Sequence, residues 1–366
     1  MIGPPLEPLC QPEGILWNMC SSFRPLPDTE TLELLCDAIS SCADRTQDEG
    51  PWHSGAFAIL ARQGAMAAFI PTNCGGTQAD ESTLLQMLTA IAEKCLTTAL
   101  ALSQWASACR IIADGPTDIR ANRLPALARG DTCTTVGISQ LSTSQQHLGS
   151  PSLKANRRGD AWRLSGVCPW VTGADSSDTI VTGAVDDSGK NLFFIVSTEA
   201  PGLTIAPPMR MLALSGSRTS SVTFCDVQPA AVIATPASGS MRTGGLATTA
   251  LALGTANASI ALLHKEAVGR SAIEPFAAGF AAEASLYNAR LQKAARTGSE
   301  ASDREALRAQ ATSLAVRTAQ AALTAAKGAG FVSGHPAERL LRESMFFLVW
   351  SCPQSVSSAI MCELAG

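Results

Sequence analysis

No two cysteines in this sequence form a CxxC pair, and none of its twelve stands at a zinc-binding distance from a histidine. The four histidines, His53, His147, His264 and His335, lie far apart. These absences point away from a metal site, so no metal is expected. A secreted disulfide scaffold is normally short, so a chain of 366 residues is expected to keep its thiols free in a reducing cytoplasm. Basic clusters are also missing, and a net charge of −4 argues against a nucleic-acid footprint. Charged residues make up only 16% of the chain against 46% apolar ones, which excludes a disordered protein. The start, "MIGPPLEPLC", has no basic region followed by an apolar core, so no signal peptide is expected. One uncharged run, Thr243 to Leu263, is long enough to span a bilayer. It is mostly Ala, Thr, Gly, Asn and Ser, a composition that fits the central helix of a bundle better than a lipid-facing span.

What is present divides into three regions after an N-terminal extension, residues 1–28. Residues 29–130 read as a helical domain. Asp28 is a candidate N-cap, and Leu32, Leu34, Leu35, Ala38 and Ile39 form an apolar stripe behind it. "PTNCGGTQADES" interrupts the pattern, and a long helical stretch begins near Glu81. From 131 to 235 the period changes to two: "DTIVTGAV", "NLFFIVST" and "SSVTFCDV" are short β-rich runs separated by Gly, Asp and Pro. Their spacing predicts a small antiparallel barrel or sandwich. A linker at 236–245 leads to 246–366, with helices predicted near 246–269, 277–296, 303–327 and 337–350. Four long helices with short connections predict a C-terminal four-helix bundle. The last helix ends in Met345, Phe346, Phe347, Leu348, Val349 and Trp350, which leave no polar face. That segment must be buried or line a cavity.

The motifs in this order resemble the acyl-CoA dehydrogenase family over nearly the whole chain. "FIPTNCGG" is similar to the family's Pro-x-x-x-Gly-Gly turn, and "LPALARGD" to the segment entering its β-domain. "RRGDAWRLSGVCPWVTGADSSD" is similar to its Gly-Asp, strand, Gly and Trp-Ile-Thr pattern, and "GFVSGHPAERLLRES" to its last long helix. The resemblance implies an α+β multidomain fold, a flavin held as FAD between β-domain and bundle, and an acyl-CoA or related substrate. It also implies a homodimer or homotetramer. By position Trp170 would lie against the isoalloxazine ring and Thr172 near its N5. Read alone, "PWVTG" is an ordinary strand with a core Trp and an outward Thr.

Three departures accompany the resemblance. The family's flavin loop corresponds here to "ISQLSTSQQHLGS" (138–150), which lacks the family's glycines and Asp but offers Ser139, Gln140, Ser142 and Ser144 as hydrogen-bonding groups. The family's Arg-x-x-Phe-Gly, which the resemblance implies reaches the FAD of a neighbouring subunit, is matched by Arg270, with Ile273 and Glu274 in place of Phe and Gly. A carboxylate beside a pyrophosphate is repulsive unless compensated. Finally, the usual catalytic Glu position holds Ser351, and the alternative base position on the first bundle helix holds Ala247. Serine has no usable basicity near neutral pH. Three functions stay open: an acyl-CoA dehydrogenase-type oxidoreductase whose base is unidentified, a flavin monooxygenase on the same scaffold, and a catalytically silent scaffold protein.

Overall fold

The computed structural model describes residues 29–43, 54–142, 151–234, 245–352 and 354–365. Asp28, the linker up to 244, Ser144 and the side chain of Ser142 lie outside the described residues.

The N-terminal region is helical: α1 (Thr29–Ala43), α2 (Ser54–Arg62), α3 (Glu81–Lys94), α4 (Leu96–Ala113) and α5 (Thr117–Arg129). The Asp80 carboxylate starts α3 by accepting from the Thr83 amide at 3.0 Å and from its hydroxyl at 2.7 Å, a side-chain cap for orphan helix donors. The long stretch expected from Glu81 onward is two helices. Cys95, extended at φ −151°, breaks it. Before α3, the "PTNCGG" turn closes through Gly75 at φ +82°, and a Cβ on Gly76 would strike the Ile70 carbonyl.

The middle region is one eight-stranded sheet. Its strands are β1 (Thr134–Gly137), β2 (Leu153–Arg158), β3 (Ala161–Val171), β4 (Thr179–Asp186), β5 (Asn191–Ser197), β6 (Leu203–Ile205), β7 (Ser220–Val227) and β8 (Ala231–Ala234). A four-residue helix, α6 (Ser139–Ser142), follows β1. The order is β6-β7-β3-β2-β4-β5-β8 with β1 against β4. Pairing is antiparallel except that β4 runs parallel to β1 and β2. "NLFFIVS" reads as continuously apolar because both faces of β5 are covered. Leu192, Phe194 and Val196 join the sheet's own core, while Phe193 and Ile195 point into the core shared with the helices.

The C-terminal region is a helical bundle: α7 (Leu246–Ala267), α8 (Glu274–Thr297), α9 (Ala301–Ala326), α10 (Pro336–Met345) and α11 (Gln354–Ala365). The uncharged run forms α7, the innermost helix, and 78% of its most apolar window is buried inside the protein. Two of its hydroxyls are satisfied within the helix: Thr255 donates to the Leu251 carbonyl and Ser259 to that of Thr255, each at 3.1 Å. Here the structure differs from the sequence expectation in one respect. The fourth helix stops at Met345, a 3-10 turn covers Phe346–Leu348, and Ser351 turns the chain at φ +51°. The shorter α11 then packs Val356 and Ile360 against Ala309 of α9.

Candidate active site

The helical regions and the sheet meet around a cavity of about 730 Å³, within the ~300–1,000 Å³ usual for small-molecule sites. Helix α3 contributes Leu84, Leu85 and Leu88, spaced to share one face, as an apolar wall. The sheet contributes Val136, Trp170, Thr172 and Phe193. Ala247 at the start of α7 and Phe346, Val349, Trp350 and Ser351 also line it. The structure therefore brings Ser139, Trp170, Thr172, Ala247 and Ser351, all singled out from sequence, to one cavity.

Trp170, near the end of β3, is 48% exposed and lines the cavity, so its indole offers a planar apolar face there. Thr172 is held on both sides. Its carbonyl accepts from the Thr135 hydroxyl at 2.7 Å, and its Oγ1 lies 3.2 Å from that of Thr219, which in turn lies 2.8 Å from Ser217 Oγ. The Gly173 amide donates to the Ser217 carbonyl at 2.9 Å. An ion pair between Arg218 and Asp175 closes the same turn from outside.

Gln140 does not line the cavity. It is buried in the sheet, donating to the Gly183 carbonyl at 2.8 Å and accepting from the Cys168 thiol at 3.0 Å. Burial pushes that thiol up to about 12. Gln140 thus ties α6 to β3 and β4.

Arg270 is also elsewhere, at the far end of α7. Its guanidinium donates to the Glu266 carbonyl at 2.9 Å and the Ala325 carbonyl at 2.7 Å, and it pairs with the Glu266 carboxylate one turn earlier. Glu274 is turned toward His264 at 3.4 Å. The residues present fit the ring end of a flavin, through Trp170, Thr172 and Ser139, better than its nucleotide end.

No internal carboxylate lines the cavity among the described residues. Glu81 and Asp114, its two acidic side chains, are both exposed. Glu363 lies exposed on α11. Cys352 offers no thiolate: burial raises its pKa, only partly opposed by Arg308, and its thiol faces the Trp350 carbonyl at 3.4 Å.

Sequence reading missed two features here. Arg308, 4% exposed, donates to the Trp350 carbonyl at 2.8 Å and so clamps the turn that carries Ser351. Helix α4 presents Ser103, Gln104 and Ser107 to the cavity, a polar strip on a helix that is otherwise buried nearly all round. The strip was visible in principle as polar residues at i, i+1 and i+4 within "LSQWAS".

A family model described as "Acyl-CoA dehydrogenase, N-terminal domain" matches residues 30–131. A probable acyl-CoA dehydrogenase of Bacillus subtilis, YngJ, is 26% identical over 335 residues, covering 84% of this chain and 88% of that one. The chain is thus similar to acyl-CoA dehydrogenases over most of its length. The butyryl-CoA dehydrogenase of Megasphaera elsdenii has the same fold, with a TM-score of 0.80 at 19% identity over 92% of this chain and 97% of that one. KijD3, solved with FMN and a dTDP-linked amino-keto sugar, shares the fold at a TM-score of 0.73 and 20% identity, over 93% and 95% of the two chains. Solved structures of this fold include complexes with FMN and with FAD. The cavity is lined by positions that the resemblance singled out, Ser351 and Ala247 among them.

Proposed function

We propose that this protein is a flavin-dependent oxidoreductase of acyl-CoA dehydrogenase type, with FAD as cofactor and an acyl thioester as substrate. The carrying observation is that the exposed indole of Trp170 and the fixed Thr172 line the same cavity as Ala247 and Ser351. When bound, a flavin supplies a two-electron acceptor for a hydride from the acyl β-carbon. This chain's own residues provide the rest. Trp170 covers a ring face and excludes water, and the Thr172–Thr219–Ser217 hydroxyls offer a hydrogen bond at its edge. Leu84, Leu85 and Leu88 line the path of an apolar chain.

A second reading, a flavin monooxygenase on this scaffold, is favoured by one specific observation. Both positions where relatives keep a proton acceptor line the cavity here, and neither Ser351 nor Ala247 can take a proton near neutral pH. We also propose a cytoplasmic protein, supported by nine free cysteines among the described residues. Association of two or four copies is proposed as well, supported by the exposed apolar side chains of Phe276, Leu286, Phe331 and Val332.

The test is the visible spectrum of purified protein, followed by anaerobic addition of acyl-CoA. A flavin band that bleaches supports dehydrogenation. A band unchanged by acyl-CoA, with oxygen consumed and a substrate hydroxylated once the flavin is reduced, supports the second reading. Protein that neither retains nor binds flavin rejects both and leaves a silent scaffold.

A further inference from the structure

The polar strip on α4 has a defined hydrogen-bonding sense. Ser103 donates to the Leu100 carbonyl at 2.7 Å, so its oxygen can only accept, and it does so from Gln104 Nε2 at 3.1 Å. That donation fixes which way round the Gln104 amide lies, because the opposite orientation would set two acceptors against each other. Gln104 Oε1 is left toward the cavity, with no donor from the described residues on it. One turn on, Ser107 donates its proton to the Ser103 carbonyl at 2.8 Å, which leaves its lone pairs toward the same space. Gln104 Oε1 and Ser107 Oγ therefore offer acceptors on this part of the wall, which Arg110, one turn further along α4, also lines. This part shares the cavity with the apolar side chains of Leu84, Leu85 and Leu88. A plain alkyl chain filling that space would strip water from the Gln104 and Ser107 oxygens and return no hydrogen bond, which is costly for buried acceptors.

We infer that the acyl group accepted by this cavity carries a hydrogen-bond donor, a hydroxyl or an amide N–H, that meets Gln104 Oε1 and Ser107 Oγ. This inference rests on the acyl-thioester reading above and names its substrate class. A site built to pair a substrate hydroxyl discriminates against the analogue that lacks it, because its own polar atoms are then left unpaired.

The experiment is an anaerobic titration of the flavin-loaded protein with hexanoyl-CoA and with hexanoyl-CoA hydroxylated singly at the fourth, fifth or sixth carbon. Binding is read from the perturbation of the flavin spectrum. At least one hydroxylated thioester is expected to bind ~3–10-fold more tightly than hexanoyl-CoA. Gln104→Leu should abolish that preference without loss of flavin. Ser107→Ala should weaken it and serves as the second variant if Gln104→Leu does not fold. Equal or tighter binding of hexanoyl-CoA by the unmodified protein overturns the inference. So does loss of flavin on Gln104→Leu, which would give the acceptor to the cofactor's own N–H. If flavin is present and none of the four thioesters perturbs it, the acyl-thioester reading itself falls, and the inference falls with it.

Discussion

Replacing Arg308 with methionine should leave the protein about as stable as before while releasing the turn that carries Ser351. Arg308 is 4% exposed, and no carboxylate among the described residues pairs with it. Burial lowers its pKa from the usual 12.5 to about 10, with Cys352 opposing only weakly. At ~1.4 kcal/mol per pH unit, that depression corresponds to about 3 kcal/mol of desolvation carried by the folded state near neutral pH. Against it stands the charge-assisted bond to the Trp350 carbonyl, worth ~1.5–3 kcal/mol. Methionine fills a similar volume and removes the desolvation term, but it leaves that carbonyl without a donor, at a cost of ~1–3 kcal/mol. The two changes nearly cancel, so chemical or thermal unfolding should place the variant within ~2 kcal/mol of the parent. The functional readout should move much further. Trp350 and Ser351 line the cavity, and Ser351 sits at φ +51°, a conformation that a non-glycine residue keeps only when its surroundings impose it. Freed of the clamp, the turn should relax and ligand affinity should fall without loss of the fold. Destabilisation beyond ~4 kcal/mol, the signature of breaking a buried ion pair, would refute the reasoning, because it would mean that Arg308 has a counter-ion.

Three further expectations follow from the same geometry. Gly254→Ala should lower the melting temperature by the equivalent of ~1–3 kcal/mol, because its Cβ would meet the Thr89 carbonyl and lie 2.6 Å from Ala92 Cβ where α7 crosses α3; an unchanged melting temperature would mean that the helices do not approach so closely. Cys168 is neutral on both sides of folding below its ordinary 9.0, but above it only the unfolded chain ionises freely. Its contribution to stability should therefore be lost as pH rises from about 9 toward about 12, and Cys168→Ala should flatten that decline in a melting-temperature series against pH. Ser351→Glu returns a carboxylate to the cavity wall and should speed anaerobic flavin bleaching by acyl-CoA ~10²–10⁴-fold in stopped-flow traces; no acceleration would show that the missing base is not what limits dehydrogenation.

The succession of helices, sheet and helices is legible because it is written locally. Apolar spacing near 3.6 in "ETLELLCDAI" gives way to period two in the strands, and β5 reads as fully apolar since both of its faces are covered. The end of α10 is not legible in that way. Met345 to Trp350 has no polar face whether it continues as a helix or turns, and what turns it is a guanidinium from Arg308, forty-two residues earlier in the chain. Trp170, Thr172, Ala247 and Ser351 were found because they sit within or align beside short motifs. Gln140 was named for its chemistry, but its amide is taken up inside the sheet, a matter of tertiary packing. Arg270 had a local signal that sequence reading passed over, an acid at Glu266 four residues earlier. The α4 strip was overlooked because serines in a buried helix more often bond back to their own backbone. Ser103 and Ser107 do so, and it is this that turns their lone pairs outward.

Whether a flavin rests against Trp170 is decided by the absorbance spectrum of the purified protein before and after incubation with FAD, beside that of Trp170→Ala. A visible flavin band in the parent, weakened or lost in the variant, is the predicted result. A parent protein that stays colourless after incubation would contradict the flavoprotein reading outright.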